Sequence, residues 1–295
     1  MNRCLALADS LNGGVRFFLD GDFWAVRLQE LGWPYELEGS SEQSEHAVSA
    51  LQTGVLQGLI FDGYDLRPED TKRAMGQGYV VHIDDGETAL AAHCYINPAA
   101  EPKAGSLARQ DLFGLEYALL NPAFAAPHDR AQQDNYHIPK DGLQLLLSMG
   151  ARDSKNVTGA MLKMCEGLSG LQNIRVIMGA HADHLDTVQA QIDTIENTCL
   201  VVDCQDMIAE YERADVALGA GGVSLLERLC CGLPSLIVTQ SRNQSGNVKR
   251  ALDAEAVILL SAIDHLDREA VQAKIEAVAH SPEILNAMRK SGLKL

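Results

Sequence analysis

Short runs of Val, Ile, Leu and Phe alternate with stretches whose apolar residues recur every three or four positions, almost from one end of the chain to the other. The runs predict strands at Val15–Leu19, Leu59–Phe61, Tyr79–Ile83, Leu143–Met149, Ile174–Met178, Cys199–Val202, Val216–Leu218, Leu236–Val238 and Val257–Leu260. The stretches between predict helices at Asp22–Leu31, Pro68–Met75, Asn156–Leu168, Leu185–Ile195, Met207–Arg213, Val223–Cys230 and Asn247–Ala254, with Arg268–Ala279 and Pro282–Arg289 closing the chain. Continuous apolar strands separated by amphipathic helices indicate parallel sheets covered on both faces, so the fold class is α/β.

The pattern is weakest from Asn121 to Gly142, which holds three prolines and no sustained apolar period. One α/β set precedes it and another follows. This predicts a Rossmann-like N-terminal domain at 1–125, a linker at 126–142 and a second Rossmann-like domain at 143–295, the two facing each other across a cleft. The 295 residues agree with two domains, at roughly 150 residues each.

The beginning is unusual. Met1 to Leu11 reads as a helix, with Leu5, Leu7, Ala8 and Leu11 apolar, and the strand Val15–Leu19 follows at once. A doubly wound domain opens with its central strand and a glycine-rich turn before the first helix. Either the architecture departs from that plan or the first strand lies ahead of Met1.

Composition narrows the partners. Hydrophobic residues make up 46 % and charged residues 22 %, which is globular rather than disordered. Acids outnumber bases 40 to 24, for a formal charge of −16. Such a surface repels phosphate backbones and anionic lipid, so neither nucleic acid nor membrane is expected as a partner. No basic n-region or apolar h-region follows Met1, which points to the cytoplasm. The seven cysteines are scattered, with no Cys-x-x-Cys, and read as small buried hydrophobes in a reducing compartment. No structural zinc site is expected from them.

The clearest chemical signal is Gly219-Ala-Gly-Gly-Val-Ser-Leu-Leu-Glu227, directly after a strand and opening a helix. Glycines bring the backbone close to a ligand, and the free N–H groups of the new helix favour an anion. Ser224 adds a hydroxyl and Glu227, one turn on, an acceptor for ribose hydroxyls; the same residues also make an ordinary β–α turn with a capping serine. The turn Gly150-Ala-Arg-Asp-Ser-Lys-Asn156 sits at another strand end, where Asp153 or Ser154 either caps the next helix or meets a ligand. In the first half, Phe61-Asp62-Gly-Tyr64 and His82-Ile-Asp84-Asp85 put Asp62, Tyr64, Asp84 and Asp85 on one rim. They suit acid/base work, hydroxyl binding or a metal, and equally suit turns. His181-Ala-Asp-His184 lacks the His-Glu-x-x-His spacing and reads as a polar helix start, and His82 as a core residue.

Together these motifs resemble the UDP-sugar hydrolase family of pseudaminic acid biosynthesis, which is related to the glycosyltransferase that makes lipid II and to spore-coat polysaccharide proteins. The resemblance runs through Arg3-Cys-Leu-Ala-Leu-Ala8, Asp62-Gly-Tyr64, Ile83-Asp-Asp85, Gly114-Leu-Glu-Tyr-Ala-Leu-Leu120, Gly219-Ala-Gly-Gly222 to Glu227, and Gly232-Leu-Pro-Ser235 with Asn243-Gln244. It implies a GT-B fold, no organic cofactor, and inverting attack of water on C1 of UDP-2,4-diacetamido-2,4,6-trideoxy-β-L-altropyranose; the oligomeric state is left open, with a monomer favoured. By that resemblance Tyr64 and Asn243 face the sugar as catalytic groups, while Gly221, Gly222, Ser224 and Glu227 hold UDP. Arg3, Asp62, Asp84, Asp85, Tyr117, Asn156 and Gln244 complete the substrate-binding set. The family's catalytic histidine stands in Gly-x-Gly-His-x-x-Arg; if Arg3 is that arginine, the histidine falls immediately before Met1. Gly150-Ala-Arg-Asp-Ser replaces Gly-Gly-x-Asp-Pro, and Asn121 stands where arginine is common. Three functions follow: the hydrolase, a non-catalytic UDP-sugar-binding or partner protein, and a GT-B glycosyltransferase.

Overall fold

The computed structural model describes residues 2–11, 13–19, 22–37, 40–63, 66–85, 90–100, 108–133, 139, 141–241 and 244–295. The chain divides into two compact units, residues 1–122 and 123–295.

The first unit runs α1 (Asn2–Ser10), β1 (Phe17–Leu19), a 3-10 turn Asp22–Trp24 leading into α2 (Ala25–Glu30), β2 (Tyr35–Leu37), α3 (Ser40–Gln52) and β3 (Gly58–Asp62). It continues with α4 (Pro68–Met75), β4 (Tyr79–Ile83), β5 (Cys94–Asn97) and β6 (Gln110–Phe113). Helix α4 shows how the sequence builds such an element: Pro68 opens it, Glu69 and Asp70 fill the first turn, and Lys72 and Arg73 the last. Every strand pairing is parallel, but β1–β2 form one sheet and β3–β4–β5–β6 another. The two sheets share their covering helices. Helix α3 packs on both β1 and β3, while Leu7 of α1 lies over β4–β5 and its Cys4, Leu5 and Ala8 lie with Phe17 and Leu19. Strands β1 and β3 are not hydrogen-bonded to each other among the described residues.

The second unit begins with α5 (Ala125–Gln133), inside the stretch read as linker at 126–142. The helix forms there because it docks: Pro127 and Ala131 are buried, and the Ala131 carbonyl accepts from Arg289 at 2.9 Å. Then follow β7 (Leu143–Ser148), α6 (Val157–Cys165), β8 (Leu171–Met178), α7 (Leu185–Ile192), β9 (Thr198–Val202), α8 (Met207–Arg213), β10 (Val216–Gly219) and α9 (Val223–Cys230). The unit ends with β11 (Ser235–Thr239), α10 (Ser245–Asp253), β12 (Val257–Ala262), α11 (Arg268–Ala279) and α12 (Pro282–Gly292). Its six strands make one parallel sheet in the order β12–β11–β10–β7–β8–β9. Leu143, Leu145 and Leu147 of β7 share a core cluster with Met161 and Leu162 of α6, Val176 of β8 and Ile275 of α11, all buried. Burial of each such side chain contributes roughly 1.5–3 kcal/mol.

The strand order reverses between β7 and β10. The chain leaves β7 toward β8 on one side and leaves β10 toward β11 on the other. In open α/β sheets this switch point is where ligands bind, outside the carboxyl ends of the strands. Ser148 and Gly219 are in register there, so the turns after β7 and β10 emerge side by side.

Candidate functional site

At the switch point of the second unit, α9 starts from Gly222, which has no side chain to cap it. The amides of Val223 and Ser224 therefore meet no intrahelical acceptor, at the positive end of the helix dipole. A β-carbon on Gly222 would meet nothing within 4 Å, whereas one on Gly221 would strike Val248 of α10. Glycine at 221 lets the turn lie on α10; glycine at 222 leaves open space before the helix.

The turn is held from beneath. Arg228, 1 % exposed, donates from Nη2 to the Ala220 carbonyl at 2.8 Å and from Nε to Ser235 Oγ at 3.1 Å. Burial lowers its pKa, and neighbouring Tyr211 and Glu227 push the other way; a guanidinium remains charged regardless. Gln244 ties two turns together, since its Oε1 accepts from the Gly221 amide at 3.3 Å and from the Gln240 amide at 3.0 Å. Gln240 in turn donates to the Met149 carbonyl at 2.9 Å, joining the end of β11 to that of β7. Glu227 accepts from the Tyr211 hydroxyl at 2.8 Å. Burial raises the Glu227 pKa, only partly offset by the Tyr211 hydrogen bond and the charge of Arg228.

The neighbouring turn after β7 is built differently. Asp153 and Asn156 adopt positive φ, 43° and 52°. The Asp153 carboxylate accepts from the Val157 and Thr158 amides, both at 2.9 Å, and Asn156 Oδ1 accepts from Gly159 at 3.2 Å. The first turn of α6 is thus occupied by the chain's own side chains, while that of α9 is open. His184 precedes α7 and its Nε2 lies 3.1 Å from the Ser154 carbonyl. No metal-holding group of three or more His, Cys, Asp or Glu occurs among the described residues.

The first unit has a polar group at its strand ends. Arg3 of α1 grips Asp62 at the end of β3, with Nη2–Oδ1 at 2.5 Å and Nε–Oδ2 at 3.3 Å, and its Nη1 lies 3.5 Å from Asp85. The Cys4 thiol also donates to Asp62, at 3.3 Å. Burial pushes the Asp62 carboxyl up, but the Arg3 guanidinium overrides this and holds it below the ordinary range. The Cys4 thiol is pushed up to about 12, by burial and then by Asp62. Asp84, although adjacent to Asp85, belongs to another chain of bonds: Asn97 donates to the Tyr95 hydroxyl at 3.0 Å, which donates to Asp84 at 2.8 Å. His82 is 2 % exposed. Burial keeps it neutral at physiological pH, against the pull of Asp84 and Asp62.

Of the residues singled out in the sequence, Arg3, Asp62 and Asp85 are brought together in the first unit, and Gly221, Gly222, Ser224, Glu227 and Gln244 in the second. Asp84 pairs with Tyr95, Asn156 caps α6, and Tyr117 lies on a 3-10 turn, 40 % exposed. Tyr64 and Asn243 lie outside the described residues. Sequence reasoning missed Tyr211, Arg228 and Gln240. Tyr211 and Gln240 act on partners 16 and 91 residues away, and Arg228 reaches back to Ala220 and on to Ser235, contacts that no motif spacing reveals.

No protein-family model matches the chain. Over 184 residues it is 26 % identical to the spore coat polysaccharide biosynthesis protein SpsG of Bacillus subtilis, a match covering 62 % of this chain and 53 % of that protein. The matched region thus spans about half the length of that curated relative. Among solved structures it is similar to Acinetobacter baumannii MurG, with TM-score 0.69 and 13 % identity over 99 % of this chain and 90 % of that one. Arabidopsis thaliana UGT89C1, complexed with UDP, gives TM-score 0.68 and 12 % identity over 98 % and 89 %. At these identities the likeness shows the fold: two Rossmann-like units of the GT-B class.

Proposed function

We propose that the second unit binds the uridine diphosphate of a nucleotide sugar, and that the protein hydrolyses that sugar nucleotide to free sugar and UDP. The observation that carries this is the amide end of α9, whose N-cap Gly222 brings no side chain, with open space at Gly222 and a half-buried Glu227 one turn on. Amides aimed at the diphosphate stabilise the charge that grows on it as it leaves, and Glu227 accepts from the ribose. In the reaction a water oxygen bonds to C1 from the opposite face and the C1–oxygen bond to the diphosphate breaks. The bonding pair leaves with UDP, and the water's proton goes to a base. UDP is a good leaving group, so holding it and orienting the water are the main tasks. The family resemblance supports UDP-2,4-diacetamido-2,4,6-trideoxy-β-L-altropyranose as substrate, with Tyr64 and Asn243 toward the sugar, Arg3, Asp62 and Asp85 on the sugar side and no cofactor. The polysaccharide role in the name of SpsG and the UDP bound to UGT89C1 agree with nucleotide-sugar chemistry. Transfer to a sugar acceptor is the second reading, favoured by the shared GT-B fold.

Calorimetric titration with UDP tests the binding. Wild type binds, and Gly222→Ala weakens binding about tenfold without lowering Tm, because its methyl occupies only open space. Absence of UDP binding in wild type overturns the reading. Turnover of the UDP-sugar in ¹⁸O-water then places the label on the C1 hydroxyl. UDP release that requires an added acceptor selects transfer instead, and binding with no release at all leaves a UDP-sugar-binding protein.

A further inference from the structure

The Tyr211–Glu227 bond joins two helices that meet only through the tertiary fold. Tyr211 is 2 % exposed, and its ring packs beside Phe124 at a centroid distance of 6.3 Å. The helix that bears it is itself fixed: Asp206 caps it by accepting from Ala209 at 3.0 Å, and Glu210 is clasped by Arg175 of β8 and by Arg213. The phenol oxygen is therefore a rigid donor, presented to one oxygen of a carboxylate on a more flexible side chain.

We propose that Tyr211 is a positioning residue of the nucleotide site, holding Oε2 of Glu227 so that Oε1 remains turned to the ribose hydroxyls and the site selects a ribonucleotide. This rests on the reading of the second unit as a UDP site. A carboxylate has acceptor capacity on both oxygens. Occupying one fixes the plane of the other and leaves it to accept from the ligand. An unpaired ribose-facing carboxylate in a buried setting would rotate and would take up a proton more readily. The Tyr211 hydroxyl opposes both. Its own pKa is driven well above the ordinary value, by burial first and by Glu227 next, so it stays a donor throughout the working range. Around Glu227, Arg228 and Cys230 lie on α9 with Cys231 just past its end, and Glu212 after α8's Tyr211 and Arg130 of α5 act on the same Cys231. His128 of α5 bonds the Cys230 carbonyl, and Arg289 of α12 bonds the Gly232 carbonyl.

Tyr211→Phe keeps the ring and removes only the hydroxyl. Binding of UDP and of 2′,3′-dideoxy-UDP is measured across pH by calorimetry in wild type, Tyr211→Phe, Glu227→Gln and the double variant. In wild type UDP binding declines as pH falls, with its midpoint above the ordinary glutamate value of 4.5. In Tyr211→Phe that midpoint moves to higher pH, UDP binds about tenfold more weakly at neutral pH, and the preference over dideoxy-UDP shrinks. Glu227→Gln abolishes the acid limb, and adding Tyr211→Phe to it costs little more. A folded Tyr211→Phe with an unchanged midpoint and an unchanged preference overturns the proposal. Carbon-13 titration of the Glu227 carboxyl in the unliganded protein separates this from failure of the UDP reading. The titration midpoint rises in Tyr211→Phe if the pair operates, and an unmoved midpoint overturns the positioning role. Wild type binding no UDP overturns the UDP reading and the proposal with it.

Discussion

Among the described residues the second unit holds its six strands in one sheet, whereas the first divides the same number between a pair and a sheet of four. The difference does not lie in the strands' own apolar character. Gly58–Asp62 (with Leu, Ile and Phe) and Leu143–Ser148 (with four Leu) are both short runs rich in large apolar residues. Strand β7 has a hydrogen-bonded neighbour on each side and helices over both faces, and Leu145, Leu146 and Leu147 are at most 1 % exposed. Among the described residues strand β3 has a neighbour on one side only, and Ile60 remains 40 % exposed. A parallel strand buries its side chains through its neighbours, so continuity of the sheet sets how much stability each apolar residue contributes.

Paired truncations test that comparison most directly. Leu147→Ala empties a fully buried site and is expected to destabilise by about 3–5 kcal/mol, whereas Ile60→Ala in the first unit is expected to cost less than about 1 kcal/mol. Urea unfolding of the two variants checks the order, and equal losses would break it. Next in size is Asp153→Ala, which strips two amides of α6 of their acceptor and lowers stability by about 1–2 kcal/mol. An unchanged urea midpoint would return the turn after β7 to the open state seen at α9.

The smallest effect concerns Asp62. Its folded pKa lies below the ordinary 3.8, so the ionised carboxylate stabilises the fold above 3.8. That contribution disappears as pH falls below 3.8 through the folded value. Thermal unfolding on an acid series should show this limb in wild type and not in Asp62→Asn. The same limb in both would place the acid sensitivity elsewhere.

Elements with strong periodicity were legible in the sequence to the residue: Tyr79–Ile83, Pro68–Met75, Met207–Arg213, Val223–Cys230 and Arg268–Ala279 match what forms. Others were not. Strand β5, Cys94–Asn97, is buried along its length yet carries Tyr and Asn whose polar atoms bond each other, so no apolar run marks it. Helix α5 has little apolar pattern of its own and is settled by its contacts with the Cys230 and Arg289 neighbourhood. The expected helix Asn156–Leu168 stops at Cys165, because Glu166 leaves helical geometry and Gly167 takes positive φ.

The candidate site divides in the same way. Glycines followed by a helix beginning at Val223 are a local pattern, readable because a β–α turn imposes its own backbone demands on consecutive residues. Whether Asp153 and Asn156 would cap or wait for a ligand depended on which amides their oxygens reach, and the tertiary structure assigns them to α6. The partners of Glu227 and Arg228 are likewise beyond local reading, since Tyr211 stands on the preceding helix and Ser235 on the following strand. The sequence by itself determined the α/β class, the helices and strands of regular period, and the glycine turn, because each is a demand made on neighbours in the chain. Only the tertiary structure decided the strand order, the interruption between β1 and β3, and the bonds that hold Glu227 and Arg228. The sheet pairings join strands far apart in sequence, and the bonds of Glu227 and Arg228 join side chains of separate elements in a weakly screened setting, where a single hydrogen bond orients a charged group.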